Sequence, residues 1–171
     1  MGMLVSFGGL PGTGKTTLAR LYAKTRGAAY LRVDTVEQAL RDSGMLAGEV
    51  GPAGYLVIYA LAEENLRLGR PVVADTVNPL RITRDAWRDV AFRAGVPHVE
   101  VEIICSDPEE HRRRIEMRGN DIPGLPPPTW RQVIERDYEP WDRPHLVLDT
   151  AGRLPEVVLA ELRAWIDSRA G

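Results

Sequence analysis

Eight consecutive residues constrain this chain more than any other feature. Gly9-Leu10-Pro11-Gly12-Thr13-Gly14-Lys15-Thr16 satisfies G-x-x-x-x-G-K-[ST] in full. An apolar run, Met3 to Gly8, precedes it, and a helical pattern with Leu18, Leu21 and Tyr22 on one face follows to Arg26. Strand, glycine turn and helix are the context in which this pattern cradles phosphate. Glycines open backbone angles closed to other residues, so successive N–H groups converge as an anion nest, and the helix N-terminus adds its dipole. The spacing therefore predicts that Gly9, Pro11, Gly12, Thr13, Gly14, Lys15, Thr16 and Thr17 hold a nucleotide's phosphates. Lys15 reaches the outer phosphates and the Thr16 hydroxyl is placed for Mg²⁺.

Beyond the loop, β-like runs alternate with helical ones. Further strands are expected at Ala28 to Asp34, Pro71 to Thr76, Val96 to Cys105 and Leu146 to Asp149. Thr35-Val36-Glu37-Gln38 reads as a capping box for a helix toward Ser43, and Pro52 to Leu68 as a longer helix. Asn78-Pro79 is expected to cap a helix to about Gly95, and Asp107 one to about Arg118. Thr129 to Gln132 is a second capping box, for a helix to about Tyr138, and Pro155 to Arg169 closes the chain. Such alternation predicts a single α/β domain over residues 1–171, with a parallel sheet covered on both faces. Ligands then bind beyond the carboxyl ends of the strands.

Composition removes several classes. At 171 residues and a formal charge of −2, the chain is one-domain in size and unsuited to duplex nucleic acid as its main partner. Cys105 is the single cysteine, so no internal disulfide is available; its apolar run predicts a buried structural thiol. His98, His111 and His145 lack metal-ligand spacing. The first residues lack a basic n-region and no stretch is long enough to span a membrane, so no membrane partner and a cytoplasmic location are expected. Of 22 basic residues only Lys15 and Lys24 are lysines. The arginine excess fits a GC-rich genome, and Lys24 reads as a solvated charge near a helix end.

The later strand ends supply further candidates. A GTPase switch would want Asp-x-x-Gly soon after the third strand. Asp149-Thr150-Ala151-Gly152 has that form but follows the fifth strand, and Asn-Lys-x-Asp is missing. Instead the chain resembles the small P-loop kinases that phosphorylate a hydroxyl, the AAA_33-like group holding polynucleotide 5′-hydroxyl kinases, chloramphenicol phosphotransferases and zeta-toxin kinases. The resemblance runs from Val5 to about Trp165. Beyond the loop, four stretches carry it: Leu31-Arg32-Val33-Asp34, Asp75-Thr76-Val77-Asn78 followed by Arg81, Arg84 and Trp87, the arginine-rich helix Asp107 to Arg118, and the Pro/Gly-rich run Gly119 to Thr129.

The resemblance implies a P-loop NTPase α/β/α fold with a five-stranded parallel sheet of order 2-3-1-4-5, and ATP and Mg²⁺ as cofactors. It implies that Asp34 faces the acceptor hydroxyl and takes its proton, with helix capping as the structural alternative. Asp75 suits either metal, with Thr16, or acceptor. Arg118 and Arg114 lie four residues apart on one helical face and enter a short proline-rich lid at 119–128, with Gly119 and Gly124 as possible hinges. There they would stabilise the transferring phosphoryl group, Arg118 also binding nucleotide, while Arg112 and Arg113 read as a solvated face. Arg41, Arg81 and Arg84 are candidates for substrate contact. Trp130 and Trp141 suit either base stacking or core packing, the latter being commoner. The resemblance places the turn after the last strand near adenine.

The acceptor stays open among a small molecule, a nucleic-acid 5′ end and a nucleotide sugar. The acidic balance and short lid favour the small molecule or short end recognition. A non-catalytic nucleotide-binding switch or ATPase is the reading from another class. Oligomeric state is not legible.

Overall fold

The computed structural model describes residues 2–45 and 48–169. Its elements are β1 (Leu4–Gly8), α1 (Lys15–Arg26), β2 (Ala29–Arg32), α2 (Val33–Asp42), α3 (Ala53–Arg67), β3 (Val72–Asp75), α4 (Arg81–Ala94), β4 (His98–Ile104), α5 (Pro108–Glu116), α6 (Trp130–Ile134), β5 (Leu146–Asp149) and α7 (Pro155–Asp167). The five strands form one parallel sheet in the order β2-β3-β1-β4-β5. This is the expected α/β fold and strand order. Among the described residues no helix is long and apolar enough to cross a membrane.

Alternation along the central strands explains the two layers of helices. Side chains of a strand point to opposite faces in turn. Val5, Phe7 and Val73 pack with Leu18, Ala19 and Tyr22 of α1 and with Val158, Leu162 and Ile166 of α7. Leu4, Val72 and Ala74 pack on the other side with Ile58, Ala62 and Leu66 of α3 and with Trp87 and Val90 of α4. Every residue of β1 is buried. The strand feeding the phosphate loop therefore lies at the centre of the sheet, flanked by β3 and β4.

Three expected junctions differ. β2 ends at Arg32, and α2 begins at Val33 with no side-chain cap. Thr35 lies inside the helix, so the expected capping box does not form. Asp34 sits in the helix's first turn, where a carboxylate complements the dipole. Asn78 does not cap α4, which starts at Arg81 after Leu80. Asn78 is instead fully buried at a positive φ of 49°, donating to the Phe7 carbonyl and accepting from Trp87 Nε1. It ties the end of β1 to α4. The capping box at Thr129 does form, but α6 stops at Ile134. Cys105 is half-buried rather than buried, with burial raising its thiol pKa.

Candidate active site

The loop at Gly9 to Thr16 turns at the carboxyl end of β1, with Gly9, Gly12 and Gly14 all at positive φ. Two of these positions leave no room for a side chain. A Cβ on Gly9 would lie 2.2 Å from the Ile103 carbonyl oxygen, and one on Gly12 would lie 2.6 Å from Ile115 Cδ1. The loop is also held from outside. His111 Nε2 donates to the Pro11 carbonyl at 2.8 Å, and the Thr150 hydroxyl donates to the Thr13 carbonyl at 2.7 Å. Arg114 then binds Thr150 through both its hydroxyl and its carbonyl oxygen, and Glu110 at 2.6 Å. His111 and Thr150 went unassigned in the sequence because they act on a segment 100 and 137 residues away.

A cavity of about 580 Å³ opens over the loop. Pro11, Gly12, Gly14, Lys15, Thr16 and Thr17 line one side, together with Arg114 and Arg118. Asp34, Glu37 and Arg41 of α2, with Tyr55 of α3, line the other. Residues 119–121 and 125–128 close the rim, so the segment expected as a lid borders both halves. Gly9 and Thr13 lie behind the loop and are buried.

Lys15 is buried at the cavity floor, with Nζ 2.5 Å from Asp75 Oδ1. The other carboxylate oxygen accepts from Tyr30 at 2.6 Å. Burial pushes the Asp75 carboxyl pKa up. The Lys15 charge and hydrogen bonds from Lys15, Tyr30 and Thr16 outweigh that and hold it below the ordinary value. Asp75 does not itself line the cavity. Lys15 and Thr16, which it holds, line the cavity in its place, and this weighs against a direct contact with acceptor.

Asp34 lines the cavity with its side chain 35% exposed, held only by Arg32 at 3.3 Å. Three residues along α2, Glu37 is half-buried. Burial first, and the Asp34 charge second, push its carboxyl pKa up against the pull of Arg41. Glu37 was not singled out from sequence, because a helical Glu normally faces water. Its side chain lies over Gly54 of α3, where a Cβ would come 2.4 Å from Glu37 Cγ.

Two of the expected substrate-contacting arginines are elsewhere. Arg84 is 1% exposed and donates to the Glu139 and Pro140 carbonyls at 2.9 and 3.2 Å, its guanidinium over the Trp141 ring. It is a clamp on the chain after α6. Arg81 lies on the surface and pairs with Asp85 and Asp142. Arg41 alone of the three reaches the cavity. Trp130 packs edge-on against His111, and Trp141 stacks on His145, so both cover protein rather than the cavity.

Thr16 lines the cavity, while Asp75 lies behind it with its oxygens on Lys15 and Tyr30, so it would serve a metal through the ion's water shell. A hydroxyl and one carboxylate suit Mg²⁺, a hard ion that takes most of its ligands from water and phosphate.

The AAA_33 model, described as an AAA domain, matches residues 4–134. An uncharacterized protein of Mycobacterium tuberculosis is 50% identical over 182 residues, covering 95% of this chain and 34% of its own length. The chain thus spans about a third of the length of that relative. A "Probable adenylyl-sulfate kinase" of Aeropyrum pernix is 26% identical over 162 residues, covering 87% of this chain and 84% of its own. The structure of the M. tuberculosis APS kinase in complex with AMPPNP and APS matches with a TM-score of 0.64 at 20% identity, covering 97% of this chain and 98% of that one. That likeness shows a shared fold.

Proposed function

The chain belongs to the AAA_33 family of AAA domains, and on that premise we propose that it is an ATP-dependent kinase acting on a hydroxyl of a small molecule. One observation carries the reading. The phosphate loop with Lys15 and the carboxylate of Asp34 line one and the same cavity. Phosphoryl transfer needs little covalent chemistry from the protein, only alignment and charge stabilisation.

In this reading Lys15 and the loop amides hold the β- and γ-phosphates. Asp34 orients the acceptor hydroxyl and takes its proton as the new O–P bond forms. The bond from the γ-phosphorus to the β,γ-bridging oxygen breaks and ADP leaves. Arg118, 27% exposed at the cavity rim, neutralises charge on the moving group. Arg114 is engaged by Glu110 and Thr150 and shapes the loop as well as its charge. Mg²⁺ would be held by Thr16, with Asp75 behind it on the ion's water shell, and would neutralise phosphate charge. The segment 119–128 is the lid, and the reaction is assigned to the cytoplasm as a compartment that supplies ATP.

A cavity of about 580 Å³ suits a nucleotide with a small acceptor. Of Arg41, Arg81 and Arg84, the candidates for contact with the backbone phosphates of a nucleic-acid end, only Arg41 lines the cavity. An ATPase or switch role has no such acceptor wall to explain. The test is ATP turnover by the full chain across a panel of sugars, nucleosides, amino alcohols and 5′-hydroxyl oligonucleotides. Stimulation by a small alcohol, abolished in Lys15→Ala, is expected. Turnover that no hydroxyl compound raises would sink the reading.

A further inference from the structure

Three arginines from three parts of the chain converge on one carboxylate of the lid. Arg32, at the end of β2, contacts Asp121 through both terminal nitrogens, at 2.6 and 3.4 Å. Arg20 of α1 reaches the same carboxylate at 3.3 Å and Arg118 at 3.4 Å. The Arg32 side chain is only 2% exposed, and its Nε makes no hydrogen bond. Asp121 is 37% exposed and borders the cavity, as do Arg20, Arg118 and Asp34.

A buried guanidinium is retained only with an anion beside it. Asp34 and Asp75 stand 3.3 and 3.8 Å from Arg32, but Asp75 already neutralises Lys15. Asp34 and Asp121 are then the carboxylates left for Arg20, Arg32 and Arg118, and Asp121 is the one that all three contact. The hydrogen bond from Arg32 is the main cause that lowers the Asp121 carboxyl pKa to about 2. Guanidinium forks of this kind recognise carboxylate, sulfate and phosphate alike. The carboxylate comes from the proline-rich segment 119–128, which itself lines the cavity. Arg32 also stands beside Asp34 and beside the Asp75 that holds Lys15, so the cluster lies between Asp34 and the phosphate loop.

We propose that Arg20, Arg32 and Arg118 form a binding site for an anionic group of the acceptor, and that Asp121 fills this site as a stand-in until the acceptor displaces it. The substrate is then an alcohol that also carries a phosphate, sulfate or carboxylate. The word acceptor rests on the kinase reading; the anion site does not.

The test is equilibrium binding of radiolabelled sulfate to the full chain, with and without saturating AMPPNP. With AMPPNP bound, Asp121→Asn should bind sulfate about ten-fold more tightly than wild type, since the competent, unplugged state no longer has to be populated first. Arg20→Ala, a change on an exposed side chain, should weaken sulfate binding in both backgrounds. Equal affinity in wild type and Asp121→Asn, or no effect of Arg20→Ala, would overturn the proposal. So would sulfate binding that AMPPNP abolishes, because the site would then belong to the transferring phosphoryl group. Competition by inorganic phosphate and by acetate distinguishes oxyanion from carboxylate. AMPPNP binding, read in the same samples, reports on the kinase reading separately. In turnover, an alcohol bearing an anionic group should outperform its neutral parent; equal rates for the two would also count against the site.

Discussion

Lys15 and Asp75, sixty residues apart, form a closed ion pair under the phosphate loop, Nζ to Oδ1 at 2.5 Å with both side chains buried. The lysine proposed to face phosphate is parked on a carboxylate at the end of β3. The pair links nucleotide binding to the core. Burial of both charges is tolerable only while each has its partner.

Removing Lys15 should therefore do two separable things. Lys15→Met should abolish nucleotide-dependent transfer and should also lower stability by about 3 kcal/mol, because Asp75 is left buried beside fewer donors. The double variant with Asp75→Asn should recover most of that stability and none of the transfer. Urea unfolding and ATP turnover measured together check this; equal stability of the single and double variants would contradict it.

Asp34→Asn keeps shape and hydrogen bonding but cannot take a proton. Turnover should fall by about 10²- to 10⁴-fold while AMPPNP affinity stays within a factor of about two. Normal turnover in this variant would remove Asp34 from the role of base. Isothermal titration and steady-state kinetics give the two numbers.

Gly12→Ala should damage the loop twice over. Residue 12 sits at φ +84°, and its Cβ would press on Ile115 at 2.6 Å and His111 at 3.2 Å. AMPPNP affinity should drop at least about ten-fold, with a stability cost of about 1–3 kcal/mol. Shortening the obstruction with Ile115→Val should restore only part of the loss, since the positive φ remains.

The buried arginine predicts a contrast with its surface neighbour. Arg84→Ala removes two charge-assisted hydrogen bonds to the carbonyls of Glu139 and Pro140 and should cost about 3 kcal/mol. Arg81→Ala, on an exposed side chain, should stay within about 0.5 kcal/mol. Chemical denaturation of both variants makes the comparison, and similar losses would mean that Arg84 is not the clamp.

Acid should release the lid carboxylate. The Asp121 carboxyl pKa is lowered from 3.8 to about 2, chiefly by the hydrogen bond from Arg32. A folded pKa below the unfolded one makes the contribution complete above about pH 4 and lost as pH falls through about 2. The stability gap between wild type and Asp121→Asn should therefore shrink across that window, as followed by urea midpoints. A gap that stays constant would argue against the pairing.

The loop was legible because its chemistry is local: eight adjacent residues carry the glycines, the lysine and the hydroxyl, and their spacing alone defines the nest. The layers were legible because period-two and helical patterns alternate cleanly along the chain. Arg84 was misread for a physical reason. A motif records residue type and spacing, whereas whether an arginine faces solvent or the Trp141 ring depends on a segment 57 positions later. Asn78 was misread likewise, since Asn before Pro suits a cap, yet here it closes the gap between Phe7 and Trp87.

What the amino-acid order determined by itself is the phosphate cradle, the parallel α/β layering and the set of carboxylates at strand ends. Only the tertiary structure decided which of those carboxylates meets Lys15, which borders the cavity, and that Asp121 of the lid answers Arg20, Arg32 and Arg118. Charge pairing across such distances in sequence follows from how β2, α1 and the lid are packed together. Local propensity carries no record of that packing.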